Sequence, residues 1–332
     1  MKLNGKLIKI LGVVTIITAL FWLLPGCGGA ATPTPTSSPT ATLSPTPTSV
    51  PVLASKPRFR VATTTSLYDT GLWGYLEPMF EQKYNVELDI IYAGTGAALN
   101  QGRAGNVDAV VVHDPDQEKT FVSDNYGIDK RSFAYNFFMI AGPASDPAGI
   151  KGLAPAAAFQ KIYDAGTANP DSVKFVSRGD NSGTQGAEKR LWASAGYTYT
   201  TGIEGKPWYV ESGQGMGPTL TMADQLNAYV LSDGSTFLSF KGKIALVSLV
   251  ENPSQDTLNI YNVYAINPDK IKTANIAMAK NFINWLISPE VQDFISKYGA
   301  AEFGGPLFHP INDGGCTYSA CPDPVENLKP VQ

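Results

Sequence analysis

Histidine and cysteine are scarce in this chain: its 332 residues contain two of the first and three of the second. That leaves too few soft ligands for a zinc or haem centre built from His and Cys. Charge is sparse as well, at 16%, with 25 basic residues against 29 acidic ones. Without a basic excess the chain has no means of tracking a polyanion, which excludes a nucleic-acid binder of the electrostatic kind. Aromatic residues are plentiful, and 15 Phe, 15 Tyr and 5 Trp exclude a wholly disordered chain. With 43% hydrophobic residues, the length suits one large or two medium domains.

The N-terminus carries an address. Lys2, Lys6 and Lys9 precede an apolar run from Ile10 to Leu24, interrupted only by Gly12, Thr15 and Thr18. The run is short for a membrane span and has the layout of a secretory signal. It ends in Leu24-Pro25-Gly26-Cys27, which resembles a bacterial lipobox: cleavage before Cys27, then acylation of that cysteine. An uncleaved N-terminal anchor is the alternative. Both place the remainder outside the cytoplasmic membrane, the first as a lipoprotein held to the outer face of the cell membrane. Residues 27–55 then read as a tether, because Ala31 to Ser55 holds six prolines among Thr, Ser and Ala and cannot bury a core. Loss of residues 1–26 removes three lysines and takes the net charge from −4 to about −7. An anion bound by such a chain must be held by local dipoles and guanidinium groups, not by the overall field. Cys316 and Cys321 enclose four residues, and outside the cell that spacing reads as a disulfide rather than a metal pair.

From Lys56 onward strands and helices alternate. Strands are expected at Arg58–Ala62, Val86–Tyr92, Asp108–His113, Ser132–Gly142, Val173–Val176, Ala245–Val250 and Tyr261–Ile266. Helical spacing marks Leu72, Tyr75, Leu76, Met79 and Phe80, with Pro78 expected to kink or split that helix. Further helices are expected to Arg103, over Glu118–Ser123, Ala154–Ala165 and Gln185–Ala195, after Gly217 to about Leu231, and at Ile276–Leu286. Ser288-Pro289 supplies an N-cap and first-turn pair for a last helix, closed by Gly299. This order argues for α/β layers with mostly parallel sheets.

Three strand-to-helix junctions carry the chemistry: Thr63-Thr64-Thr65-Ser66, Gly94-Thr95-Gly96, and Ser177 to Thr184. Where the carboxyl end of a strand meets a helix start, free backbone N–H groups and the positive end of the helix dipole favour an anion. Glycine lets the backbone approach, Ser and Thr add O–H donors, and Arg178 adds a planar fork of N–H groups. Each junction alone also reads as an ordinary helix cap. Three of them in an open α/β sheet point to one crevice. Arg178-Gly179-Asp180 spells an adhesion tripeptide but sits at a strand–helix junction. Residues 179–183 faintly resemble a serine-hydrolase segment with one residue inserted, which makes Ser182 a candidate nucleophile. Only His113 and His309 could act as its base; His113 reads as structural and His309, beside Pro310 near the tail, as a loop residue. Trp73, Trp192, Trp208, Tyr209 and Trp285 read as packing residues.

Together with Asp108 to Pro115 and Gly304 to Phe308, these segments occur in the order seen in the tungstate-binding proteins of ABC importers, the TupA type, and the chain resembles that family over about residues 60–310. The resemblance implies a two-lobed periplasmic-binding-protein-like fold (type II) with two hinge crossings. Lobe one would comprise 56–137 plus 262–332, and lobe two 138–261. It implies an oxyanion between the lobes, held by Thr64, Thr65, Ser66, Thr95 and Gly96 from one side and by Arg178, Ser182, Gly183 and Thr184 from the other. Asp180 either orients Arg178 or accepts a proton from the ligand. The ligand would be tungstate, with molybdate or phosphate as alternatives, and no cofactor is implied. The implied partner is an ABC permease, the membrane is reached only through the lipid anchor, and the protein acts as a monomer without catalysis. The loop of residues 178–184 is also similar to that of phosphate-binding proteins. Departures from the common pattern at Leu67–Gly71 and at His113-Asp114-Pro115 bear on which anion is preferred.

Overall fold

A computed structural model describes residues 55–332; the signal segment, Cys27 and most of the tether lie outside the described residues. The chain starts with β1 (Arg58–Thr64), α1 (Thr65–Asp69), α2 (Trp73–Tyr84), β2 (Glu87–Ala93), α3 (Thr95–Arg103), β3 (Ala109–Val112) and α4 (Pro115–Ser123). A 16-residue strand, β4 (Gly127–Gly142), leads into α5 (Pro155–Ala168), β5 (Phe175–Ser177), α6 (Gly183–Ser194), β6 (Tyr209–Glu211) and α7 (Met216–Gln225). Next come β7 (Tyr229–Asp233), α8 (Gly234–Ser239) and β8 (Val247–Val250), and β9 (Leu258–Ile266) returns the chain. It closes with α9 (Ile276–Leu286), α10 (Pro289–Lys297), α11 (Ala300–Phe303), β10 (His309–Pro310) and α12 (Pro324–Asn327).

The strands order as β2-β1-β3-β9-β4-β7-β5-β6, with β8 and β10 also on β4. β1 lies parallel to β2 and β3, and β5 parallel to β6 and β7, while β9 and β4 run antiparallel to their neighbours. β4 changes partner in mid-strand: Phe137 faces Leu258 of β9, and Phe138 faces Asp233 of β7. That switch, with the return between β8 and β9, divides the sheet into two lobes. β9 pairs with the first half of β4 from Leu258 onward.

Each lobe is covered on both faces, as parallel strands require. In lobe one Phe59, Phe80 and Phe282 meet with ring centroids 5.0 to 5.8 Å apart beneath α2 and α9. In lobe two Phe159, Phe175 and Trp192 form the corresponding cluster at 4.4 to 5.6 Å. Such pairs contribute roughly 0.5–1.5 kcal/mol each beyond area burial. Trp73, Trp192, Trp208, Tyr209 and Trp285 are all buried in these cores. Cys316 and Cys321 are joined in a disulfide.

Three local expectations differ from the structure. The helix expected to run to Leu231 ends at Gln225, and Tyr229–Asp233 is instead strand β7, buried at every residue. Asn227 breaks the helix with φ of 49°. Pro78 does not split α2, which continues to Tyr84. The carbonyl that loses its partner belongs to Gly74, which is exposed. Ser288 precedes α10 but makes no side-chain cap, and its hydroxyl is buried without a partner.

Candidate functional site

β1 delivers the first loop to the carboxyl edge of the sheet. Thr63 turns its hydroxyl to accept from Trp73 Nε1 at 3.2 Å, a packing role. Thr64 is extended (φ −96°, ψ 151°) and makes no side-chain cap, so its hydroxyl is available to Ser66, 3.2 Å away. Ser66 is wholly buried and its Oγ lies 3.2 Å from Nε2 of His113. Thr65 turns elsewhere: its methyl packs against the backbone of Gly215, where a Cβ would stand 3.2 Å away. Its Oγ1 is buried with no partner among the described residues.

β5 delivers the opposing loop. Gly179 and Asn181 have φ of 62° and 56°, which turn the chain sharply between Arg178 and α6. A Cβ on Gly179 would come 2.6 Å from Glu211, so glycine is required there on two counts. Arg178 is 2% exposed. Its Nη2 donates to Asp180 Oδ2 at 2.5 Å and its Nε to the Gln214 carbonyl at 3.3 Å. Nη1 is buried and unpartnered. Asp180 also accepts from the Ser182 N–H at 3.2 Å, so both carboxylate oxygens are engaged. Ser182 caps α6 by accepting from the Gln185 N–H at 3.2 Å. Thr184, one residue into that helix, has a buried and unpartnered Oγ1.

The two loops meet. The Gly183 N–H donates to Thr95 Oγ1 at 3.1 Å, and the Gly96 N–H to the Asn181 carbonyl at 3.2 Å. Those two backbone donors therefore serve contact between the lobes. The Gly217 N–H donates to Asp69 at 3.1 Å; burial pushes that carboxyl up, while this N–H and Arg178 pull it down. Glycine allows the approach: a Cβ on Gly94 would lie 3.1 Å from Asp180, and one on Gly183 would lie 2.7 Å from the His113 ring. On these loops three buried donors have no partner among the described residues: Thr65 Oγ1, Thr184 Oγ1 and Arg178 Nη1. Unpaired buried donors are costly, on the order of 1–3 kcal/mol each. All three stand on the predicted strand-to-helix loops, where an anion would supply the missing acceptor. A cavity of about 770 Å³ is lined by His113, Lys130, Arg131, Arg190 and the C-terminal segment, and contains none of the predicted hydroxyls.

Sequence reasoning missed a polar cluster beneath the loops. His113 is buried, its Nδ1 2.8 Å from Asn259 Oδ1. Asn259 donates to Asn136 Oδ1 at 2.8 Å and to the Tyr261 hydroxyl at 2.9 Å. Asn136 reaches Asp233 and Ser235. Asn136 and Asn259 stand on the two crossing strands, next to the residues where β4 changes partner. His113 is structural in its packing, as its place at the end of a buried strand implies, but it also touches the hydroxyl loop.

The sequence matches the family model described as a PBP superfamily domain over residues 32–290. A tungstate-binding protein TupA of Peptoclostridium acidaminophilum is 35% identical over 305 residues, 91% of this chain and 98% of that protein. A putative ABC transporter anion-binding protein of Haloferax volcanii is 42% identical over 261 residues, 77% of this chain and 72% of that one. Among solved structures, the tungstate ABC transporter protein of Geobacter sulfurreducens is similar with a TM-score of 0.64 and 42% identity, covering 73% of this chain and 98% of that one. Fold, loop order and these likenesses agree: the chain belongs to the PBP superfamily, and within it to the TupA-type family.

Proposed function

We propose that the protein is an extracytoplasmic solute-binding lipoprotein that captures tungstate between its lobes and hands it to an ABC permease. The acyl chains at Cys27 would hold it to the membrane, at ~0.8 kcal/mol per buried CH₂. It works as a monomer, without cofactor and without catalysis. The observation that supports the reading is that Thr65 Oγ1, Thr184 Oγ1 and Arg178 Nη1, all on the predicted strand-to-helix loops, are buried and have no partner among the described residues. The names of the relatives support the same ligand. Asp180 bears on the choice of anion. Its carboxylate accepts from Arg178 and from the Ser182 N–H, which supports the role of orienting the guanidinium. An orienting Asp180 suits tungstate or molybdate, which carry no proton at neutral pH, better than it suits hydrogen phosphate.

Calorimetric titration with tungstate, molybdate, sulfate and phosphate tests this reading. Tight tungstate binding with phosphate much weaker is expected; no binding of any of the four overturns it. The hydrolase alternative has little to stand on. Ser182 uses its oxygen as a helix cap, and His113 faces Ser66. Turnover of an ester that is lost only in Ser182→Ala would reinstate it.

A further inference from the structure

A chain of hydrogen bonds runs from the second lobe, through both crossing strands, into the first hydroxyl loop, and its direction can be read from one end. Asp233 closes β7 and accepts from the Thr236 N–H at 2.9 Å and the Thr236 hydroxyl at 2.7 Å. Its Oδ1 also faces Asn136 Nδ2 at 3.3 Å. An amide nitrogen only donates, so Asn136 must present its oxygen to Asn259 Nδ2. Asn259 then has its own oxygen left for His113 Nδ1, and an amide oxygen only accepts. His113 therefore carries a hydrogen on Nδ1.

The other ring nitrogen decides the loop. Burial lowers the His113 pKa to about 3; the Asn259 bond opposes this, and the nearby cations Arg178 and Arg190 lower it further. Tyr261 and Phe138 pack against the ring. Asp114, next in sequence, is occupied with capping α4 and with Arg190. The imidazole is thus neutral, Nε2 bears a lone pair, and Ser66 must give it the hydroxyl hydrogen. Ser66 in turn accepts from Thr64, and the Tyr261 hydroxyl, which accepts from both asparagines, lies beside it. The hydrogens on His113 Nδ1, Ser66 Oγ and Thr64 Oγ1 are thereby assigned within the chain of bonds, and none of the three points at a ligand.

We propose that His113 is a positioning residue that accepts the hydrogen bond of the Ser66 hydroxyl, so that Thr64 and Ser66 shape the pocket while Thr65, Thr184 and Arg178 supply the side-chain donors to the anion. This divides a run of four adjacent hydroxyls that sequence treats alike. It rests on the oxyanion reading above and adds a consequence: binding takes up no proton, because His113 stays neutral throughout.

The test is calorimetry of the full chain with sodium tungstate at pH 7.0 to 8.5, in two buffers of different ionisation enthalpy. Equal binding enthalpies in the two buffers are expected from the unmodified protein, which makes this part independent of any variant's folding. Thr65→Val and Thr184→Val should each weaken binding roughly tenfold or more. Thr64→Val should change it less than threefold. His113→Gln, whose side-chain oxygen can still accept from Ser66, should retain affinity that His113→Leu loses. Uptake of about one proton per anion in the unmodified protein overturns the proposal, since Ser66 would then be released as a donor. So does a loss in Thr64→Val equal to that in Thr65→Val. Failure of the unmodified protein to bind tungstate, molybdate, sulfate or phosphate overturns the oxyanion reading itself, an outcome distinct from the other two.

Discussion

Arg178 has more donors than the protein uses. Asp180 and the Gln214 carbonyl take two of its nitrogens, and the third is buried and unpartnered. A charge-assisted hydrogen bond contributes roughly 1.5–3 kcal/mol, so Arg178→Ala should weaken tungstate binding by at least tenfold. Arg178→Lys should not restore it, because one ammonium cannot reach Asp180, the carbonyl and the anion in the geometry of a planar fork. Titration calorimetry of both variants checks this, and unchanged affinity in the alanine variant would count against the assignment. Arg178 was legible in the sequence because it stands where a strand runs into a helix. Asn136, Asn259 and Asp233 were not. They lie inside buried strands, and their partners are 146, 123 and 97 residues away along the chain. Nothing in local spacing marks a polar residue whose role is set by neighbours that distant.

Elements were read well where their periodicity was strong and poorly where two patterns ran together. Helix α9, with its apolar face of Ala279, Phe282, Ile283 and Leu286, lies where its spacing indicates. Strand β7 was absorbed into the preceding helix, because an apolar run gives the same signal in a buried strand as on a helix face. Helix α4 contributes Glu118, whose Oε2 accepts from Asn262 at 2.8 Å and from the Tyr264 hydroxyl at 2.6 Å. Burial raises this carboxyl from 4.5 to about 7, against the pull of Lys130 and the two hydrogen bonds. Between those values the folded protein binds more protons than the unfolded chain, so this residue's contribution to stability falls as pH rises, then levels off. The loss is roughly 3 kcal/mol at most. Glu118→Gln removes the titration while keeping the shape. Its melting temperature relative to the unmodified protein should therefore improve by several degrees between pH 5 and pH 8, as scanning calorimetry would show. A pH-independent difference would mean that the carboxyl is ionised throughout.

At the scale of the whole molecule, overall charge and local site oppose each other. The chain from Cys27 onward carries about −7 and must admit a dianion. The net charge therefore repels the approaching ligand, and on the proposed reading capture depends on short-range donors at the loops. Salt acts on the first of these and hardly on the second, because the Debye length falls from roughly 14 Å at 0.05 M to about 5–6 Å at 0.3 M while the donors stay in contact with the anion. Added salt should thus speed association and leave dissociation almost unchanged, the reverse of a site that steers its ligand electrostatically. Trp73 offers a reporter, since its indole donates to Thr63 at the start of the hydroxyl loop. Stopped-flow fluorescence with tungstate in 0.05 and 0.3 M sodium chloride should show the association rate rising, by about twofold or less on the Debye argument. An association rate that drops steeply with salt would place a cationic surface at the mouth of the cleft, and would shift the capture step from the buried loops to that surface.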